Sequence, residues 1–569
     1  MIQRGPVAPK DPTEKQKGFY ILLDTIVEAL ERKGQSPAQD IYLDCGRLMN
    51  NAKIVGDIKD QEILDLLDKT NDFRKLVKKI GVTVSSNETE KVNFVFHSYG
   101  KVDRYNGGTR IEMTCPCNGA EYMLDLEDYE WSEDDDVVGM MAFEFPEVGM
   151  TGKVSVKLYV ADGYDIPEIS VDPPVAFEST AYKEMIAKSL MDEGNNYRLK
   201  KFLEKAQKGE EVTVAYIGGS ITQGAGAKPI HSECYAARSY EALKEKFTPN
   251  HGANMHYIKA GVGGTPSELG MIRYERDVLR DGAAQPDLVV IEFAVNDEGD
   301  ETKGACFESL VLKCLTSPNK PAVVLLFSVF SDDFNLQERL SPIGMHYNVP
   351  MVSVKDAVTP QFDLVRTEGG VISKRQYFYD IFHPTNDGHQ VMADCLIYLF
   401  EQVAAAGWDE EITAYPTEPV KGNSFTNVHC IDRHYTLEGT EIVEGGFTAT
   451  DEVLQYVEMN EDTCGTPQFP FNWQHTPESG SESFKISIES KNLLLVFKDS
   501  GDPNFGKACI YVDGKLAREA EPYLNGWNHC NAIILYDEKD CKRHEVEIKM
   551  AEGHEDKYFT ILGFGYTQD

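Results

Sequence analysis

Hydrophobic positions along the chain show three textures, and each predicts a different kind of element. At Gly18 to Lys33 and Gln61 to Ile80 apolar residues return at three- and four-residue intervals, as in Ile63, Leu64, Leu66, Leu67, Phe73, Leu76 and Val77. That spacing lines one face of a helix, so residues 1–90 are expected to be mostly helical. From about Glu90 the pattern changes to short alternating runs such as Val92-Asn-Phe-Val-Phe and Lys153-Val-Ser-Val-Lys-Leu-Tyr-Val, separated by turn residues. Residues 91–172 therefore read as a small β-rich domain. The acidic run Glu133 to Asp136 falls between two of those strands and reads as a solvated loop.

Asp172-Pro173-Pro174 marks a linker, because consecutive prolines hold the backbone extended and end both helix and central strand. Over residues 175–408 continuous apolar runs, among them Val212-Thr-Val-Ala-Tyr-Ile and Leu288-Val-Val-Ile-Glu-Phe, alternate with amphipathic helices. Strands buried on both faces with helices between them predict a three-layer α/β/α domain around a parallel sheet. After Pro416 six or more short strands recur with no long helical segment, which predicts a C-terminal β-sandwich or jelly roll over 416–569.

Length and charge narrow the function. A chain of 569 residues exceeds one core, and at about 150 residues per domain it holds roughly three or four. Lys+Arg 56 against Asp+Glu 93 gives a net charge of −37, which argues against nucleic acid and against anionic membrane surfaces as partners. No stretch approaches the ~18 apolar residues of a membrane span, and the polar N-terminus lacks a secretory signal, so the expected compartment is the cytoplasm. The 12 cysteines are widely spaced and point to reduced thiols rather than a disulfide framework or a zinc site. His429-Cys-Ile-Asp-Arg-His434 offers too few ligands for a metal.

Four places in the α/β domain could carry chemistry, since ligands gather at the carboxyl ends of such strands. At Tyr216-Ile-Gly218-Gly219-Ser220 a strand runs into two glycines that could present the Ser220 hydroxyl and leave its N–H free. Ala260-Gly-Val-Gly263-Gly264-Thr is a second Gly-rich loop ahead of a helix. In Glu292-Phe-Ala-Val-Asn296 the amide of Asn296 could donate to an oxyanion. In Asp380-Ile-Phe-His383-Pro one loop could supply both an imidazole base and the carboxylate that orients it. Taken singly, Ser220 also reads as a turn serine and Asn296 as a helix cap or Asx-turn.

Together, Gly-Gly-Ser-Ile-Thr, Gly-Val-Gly-Gly-Thr, Ala-Val-Asn-Asp and Asp-Ile-Phe-His-Pro, in that order, resemble the SGNH (GDSL-type) hydrolase superfamily over about residues 175–408. Gly219 stands where many relatives have Asp, and Ala294 where the third block often has Gly. The resemblance implies Ser220 as nucleophile, His383 as general base and Asp380 as its orienting carboxylate, with Asp387 the alternative. It implies an oxyanion hole from the N–H groups of Ser220 and Gly264 and the amide of Asn296, with Gly263 the alternative in the second loop. No metal or other cofactor is required.

The flanking β-domains make the chain look like bacterial carbohydrate O-acetyl esterases, with acetylated mannan or xylan oligosaccharides as the expected substrate. Trp473 and Trp527, each set among amides and a histidine, are candidate sugar-stacking residues, or else core tryptophans of the sandwich. Two other readings stay open: an acyl-thioesterase or lysophospholipase of the same superfamily, and a non-catalytic carbohydrate-binding protein. Self-association to a homo-oligomer through the N-terminal segment is also left open by the sequence.

Overall fold

The computed structural model describes residues 17–32, 34–167, 172–364, 368–460 and 462–568. It divides into two compact units, one ending at Val175 and including Ser373–Phe382, the other comprising Ala176–Ile372 with His383–Asp569.

The first unit is a β-sandwich. Its strands are β1 (Gly18–Glu28), β2 (Ala38–Tyr42), β3 (Val77–Ser85), β4 (Lys91–Gly100), β5 (Arg110–Pro116), β6 (Asn118–Asp125), β7 (Asp135–Glu144) and β8 (Thr151–Val160). They form two antiparallel sheets of order β1-β8-β3-β6 and β2-β7-β4-β5 around one core that runs from Phe19 to Ile166. Over the described residues of 1–90 the helical expectation is thus overturned, and so is their separation from 91–172, while residues 1–16 and 33 of that expectation lie outside the described residues. Between Tyr20 and Thr25 the register of β1 slips twice against β8, and Asp24 adopts φ 53°. Such bulges break strict alternation. Phe19, Leu22, Leu23, Ile26 and Val27 consequently mimic helical spacing while lying on a strand. Gln61 to Ile80 is split between the short helices Gln61–Asp65 and Thr70–Leu76 and the start of β3.

The second unit contains the expected α/β domain. Strands β9 (Leu190–Asp192), β10 (Val212–Gly218), β11 (Met255–Gly261), β12 (Leu288–Glu292), β13 (Ala322–Phe327) and β14 (Met351–Ser353) form a sheet of order β11-β10-β12-β13-β14-β9. All neighbours are parallel except the edge pair β14 and β9. The chain leaves β10 for β11 on one side and returns to β12 on the other, which opens a crevice at the carboxyl ends of these strands. No helix is long and apolar enough to cross a membrane among the described residues.

Beyond Pro416 the chain is antiparallel β, built on the long strands Phe484–Asp499, His529–Met550 and Phe559–Thr567. One side of this sheet buries Phe484, Ile486, Leu495 and Phe564 in the domain's own core. The other side places Leu494, Val496 and Leu562 in the same apolar cluster as Leu269 and Ile272 of the α/β domain. Each such side chain contributes about 1.5–3 kcal/mol when fully buried, so this docking is strongly held. The C-terminal domain thereby reaches the loop that follows β11.

Candidate active site

The site is assembled where β10, β11 and β12 end. After β10 the chain turns at Gly219 into the single helical turn Ser220–Gln223, closed by Gly224 at φ 109°. Tight packing explains the glycines. A Cβ on Gly218 would strike Thr222, and one on Gly219 would occupy the space taken by the Asn296 amide. Gly219 therefore stands where another residue would push Asn296 away from the Ser220 turn.

His383 Nε2 lies 2.9 Å from Ser220 Oγ, within hydrogen-bond reach of the hydroxyl proton. Its loop is fixed from both sides. Asn386 receives the Lys228 N–H at 2.8 Å and donates to the Lys228 carbonyl at 2.8 Å. His389, buried in the next turn, accepts the Tyr235 N–H at 3.2 Å and faces the Ala225 carbonyl at 3.1 Å. Burial pushes its imidazole down to about 3, so it stays neutral and donates from Nε2 to Ala225. Asp380 belongs to the segment Ser373–Phe382 of the first unit, where its carboxylate accepts the Phe382 N–H at 2.8 Å. Asp387 sits in the first turn of the helix Asn386–Ala405, where negative charge is favoured.

In the second Gly-rich loop, Gly263 donates its N–H to Gln223 Oε1 at 3.0 Å. Gly264 adopts φ 72°, and its N–H has no acceptor among the described residues. The backbone N–H of Ser220 likewise has none. A Cβ on Gly263 would stand 3.7 Å from the Ser220 Cβ, so the loop lies against the serine. The side chain of Asn296 makes no hydrogen bond among the described residues, and its Oδ1 is buried. Ser220, Asn296 and the Gly263-Gly264 loop are thus brought together by the strand ends, and His383 meets Ser220 from the turn ahead of the helix Asn386–Ala405.

Several supports escaped the sequence reading because their partners are remote. Gln455 Nε2 donates to the Gly263 carbonyl at 2.8 Å, and His529 Nε2 donates to the Gly264 carbonyl at 2.8 Å. Both come from the C-terminal domain and clamp the loop from outside. Arg273, fully buried, donates to the Ala260 carbonyl at 2.6 Å and the Gly218 carbonyl at 2.8 Å, tying the ends of β11 and β10. Glu292, buried under the Ser220 turn, accepts from Thr222 Oγ1 at 3.1 Å and from Ser328 Oγ.

The two tryptophans separate. Trp527 is 44% exposed, with its ring 2.8 Å from where a Cβ on Gly264 would stand. Trp473 is 1% exposed, packed edge to face on Phe484 and tilted against Phe564, with its Nε1 donating to Glu444 at 3.0 Å. No ring face is left for a sugar, and Trp473 is a core residue rather than a substrate contact.

Three buried carboxyls fasten the β12 end and the loop after it. Asp297 accepts from the Ser267 N–H and hydroxyl at 2.7 and 2.8 Å, and Glu268 accepts the Glu301 N–H at 3.0 Å. Burial pushes Glu292 up to about 7, Asp297 to about 8 and Glu268 to about 9. In the unfolded chain such groups release their protons near pH 4. Between these limits the folded state binds more protons than the unfolded one, so stability is greatest at low pH and is lost as pH rises through the folded values. Scanning calorimetry at constant ionic strength should show the unfolding midpoint falling from pH 6 to 9, and Glu268→Gln should flatten the upper part. A midpoint that rises over this range would contradict the assignment.

The model of the GDSL-like lipase/acylhydrolase family matches residues 216–391, the span from β10 to the helix after His383. A two-domain esterase (CEX) active on acetylated mannans, solved with mannopentaose, is 29% identical. That match covers 68% of this chain and 98% of the other, with a TM-score of 0.57; a second structure of the same esterase gives 29%, 68%, 99% and 0.57. An acetylxylan esterase variant from Geobacillus stearothermophilus is 19% identical over 34% of this chain and 95% of its own, with a TM-score of 0.27. No curated protein matches the chain.

Proposed function

Because residues 216–391 form a hydrolase domain of the GDSL-like, or SGNH, family, we propose that this carboxylic ester hydrolase removes acetyl groups from neutral plant oligosaccharides through an acyl-serine. The observation that carries the proposal is the 2.9 Å approach of His383 Nε2 to Ser220 Oγ at the carboxyl end of β10.

In this reading Ser220 Oγ attacks the ester carbonyl as its proton passes to His383 Nε2. The oxygen gaining charge is met by the N–H groups of Ser220 and Gly264 and by the Asn296 amide. The imidazolium then protonates the ester oxygen of the sugar as its bond to the acyl carbon breaks, and the sugar leaves with a free hydroxyl. A water that gives its proton to His383 releases acetate and restores the serine. Asp380, three residues before His383 in the sequence, is the carboxylate we assign to favouring the tautomer that leaves Nε2 able to accept.

The substrate assignment rests on the likeness to the mannan esterase, which extends beyond the catalytic domain, and on Trp527 beside Gly264. An exposed ring at that place can stack on the sugar that bears the ester.

Hydrolysis of p-nitrophenyl esters from acetate to octanoate, with acetate release from acetylated manno- and xylo-oligosaccharides, tests the proposal. The expected result is turnover that collapses beyond about four acyl carbons, as each added methylene must find room in a packed site, and release from acetylated mannan fragments. Preference for octanoate would instead indicate a lipid or thioester substrate.

A further inference from the structure

We propose that the outer face of the β2-β7-β4-β5 sheet in the first unit is a binding site for a neutral glycan chain, centred on Tyr42, His97 and Tyr105. The strand register defines the face. Tyr42, Met140, His97 and Arg110 stand opposite one another in one row across the four strands, and Asp40, Ala142, Val95 and Glu112 in the next. Directly paired residues share a side of the sheet. The opposite side supplies Phe94, Phe96, Met141 and Phe143 to the core.

His97 is the most telling member. It is only 9% exposed, meets Tyr99 edge to face at 5.4 Å, and has no hydrogen-bond partner among the described residues. Burial and the neighbouring Arg110 hold its imidazole below the ordinary range, so at neutral pH the ring offers one donor and one acceptor to a ligand. Neither ring nitrogen is among the fully buried polar atoms, so both stand where a ligand can reach them.

Charge then selects the ligand. Each arginine of the face is matched by carboxylate: Arg32 by Asp40 at 3.0 Å and Glu144 at 2.9 Å, Arg110 by Glu112 at 2.9 Å, and Arg104 by Asp44 at 2.6 Å. On a chain of net charge −37 this face is balanced, which disfavours polyanions and polycations alike. Forked guanidinium and carboxylate groups beside exposed rings suit a ligand with many hydroxyls and flat C–H faces.

The rings are held ready. Tyr42 is 54% and Tyr105 59% exposed. Tyr105 rides on the loop between β4 and β5, packing edge to face on Tyr99 at 5.4 Å. The acidic run that leads into the start of β7 anchors that loop. Asp134 accepts the Val102 N–H at 3.0 Å, while buried Asp135 accepts the Thr109 N–H at 2.7 Å and its hydroxyl at 2.8 Å. The run is therefore a structural fastening rather than a solvated loop. A ring fixed before binding loses little entropy on contact.

The test uses the full chain carrying Ser220→Ala and Trp527→Ala, so that neither turnover nor stacking at the cleft contributes. Calorimetric titration with mannohexaose, xylohexaose, cellohexaose and polygalacturonate is expected to show binding of at least one neutral glycan and none of the polyanion. Adding Tyr42→Ala and Tyr105→Ala should weaken that binding at least tenfold. The two tyrosine substitutions alone should leave p-nitrophenyl acetate turnover unchanged. If the pair lowers the unfolding midpoint, Tyr105→Ala alone is read in its place. No neutral glycan bound, binding indifferent to the tyrosines, or preference for polygalacturonate would overturn the proposal.

Discussion

Ser220→Ala is expected to lower kcat/KM for p-nitrophenyl acetate by about 10⁴-fold or more while leaving the unfolding midpoint close to that of the wild type. The hydroxyl is the only group at the turn placed 2.9 Å from an imidazole nitrogen, and removing it takes away the atom to be acylated. Folding should tolerate the change, because the turn is held by backbone bonds from Gln223 N–H to Gly219 and from Gly224 N–H to Ser220. His383→Ala should cost a similar factor. The double variant should be scarcely worse than either single one, since nucleophile and base act as a unit. Additive losses, or a Ser220→Ala enzyme with most of its activity, would contradict the roles assigned to them.

Asn296→Ala is expected to lower kcat by about 10²- to 10³-fold with KM little changed, the signature of a group that acts in the transition state. Its side chain covers Gly219, makes no hydrogen bond among the described residues, and so is available to an oxyanion. Asn296→Asp separates this role from simple packing. It preserves the shape against Gly219 but brings a carboxylate toward developing negative charge, so activity should fall at least as far. Recovery of activity in the aspartate variant would mean that Asn296 only fills space.

The catalytic half of the molecule was largely legible in the sequence because its signals are local. Strands such as Val212–Gly218 and Leu288–Glu292 are continuous apolar runs; the blocks holding Ser220, Gly264 and Asn296 sit within a few residues of strand ends, and the Asp380-His383 block sits just ahead of the helix Asn386–Ala405. Length and period misled at the N-terminus, where the bulges in β1 convert a two-residue alternation into apparent helical spacing. Trp473 and Trp527 have similar neighbours in sequence. Only the former lies on a strand, Trp473–His475, paired inside the sandwich, whereas the latter lies between strands beside Asn525 and Gly526. Gln455, His529 and Arg273 left no local signal, since a side chain that holds a backbone carbonyl in another domain is specified only by the fold.

The proposed catalysis requires Ser220 to be an activated nucleophile, and covalent labelling tests this most directly. Incubation with a fluorophosphonate should abolish esterase activity and leave one phosphonyl group, which peptide mass spectrometry places on Ser220, with no labelling of Ser220→Ala. Inactivation with the label on another residue, or full activity after prolonged exposure, would contradict the assignment.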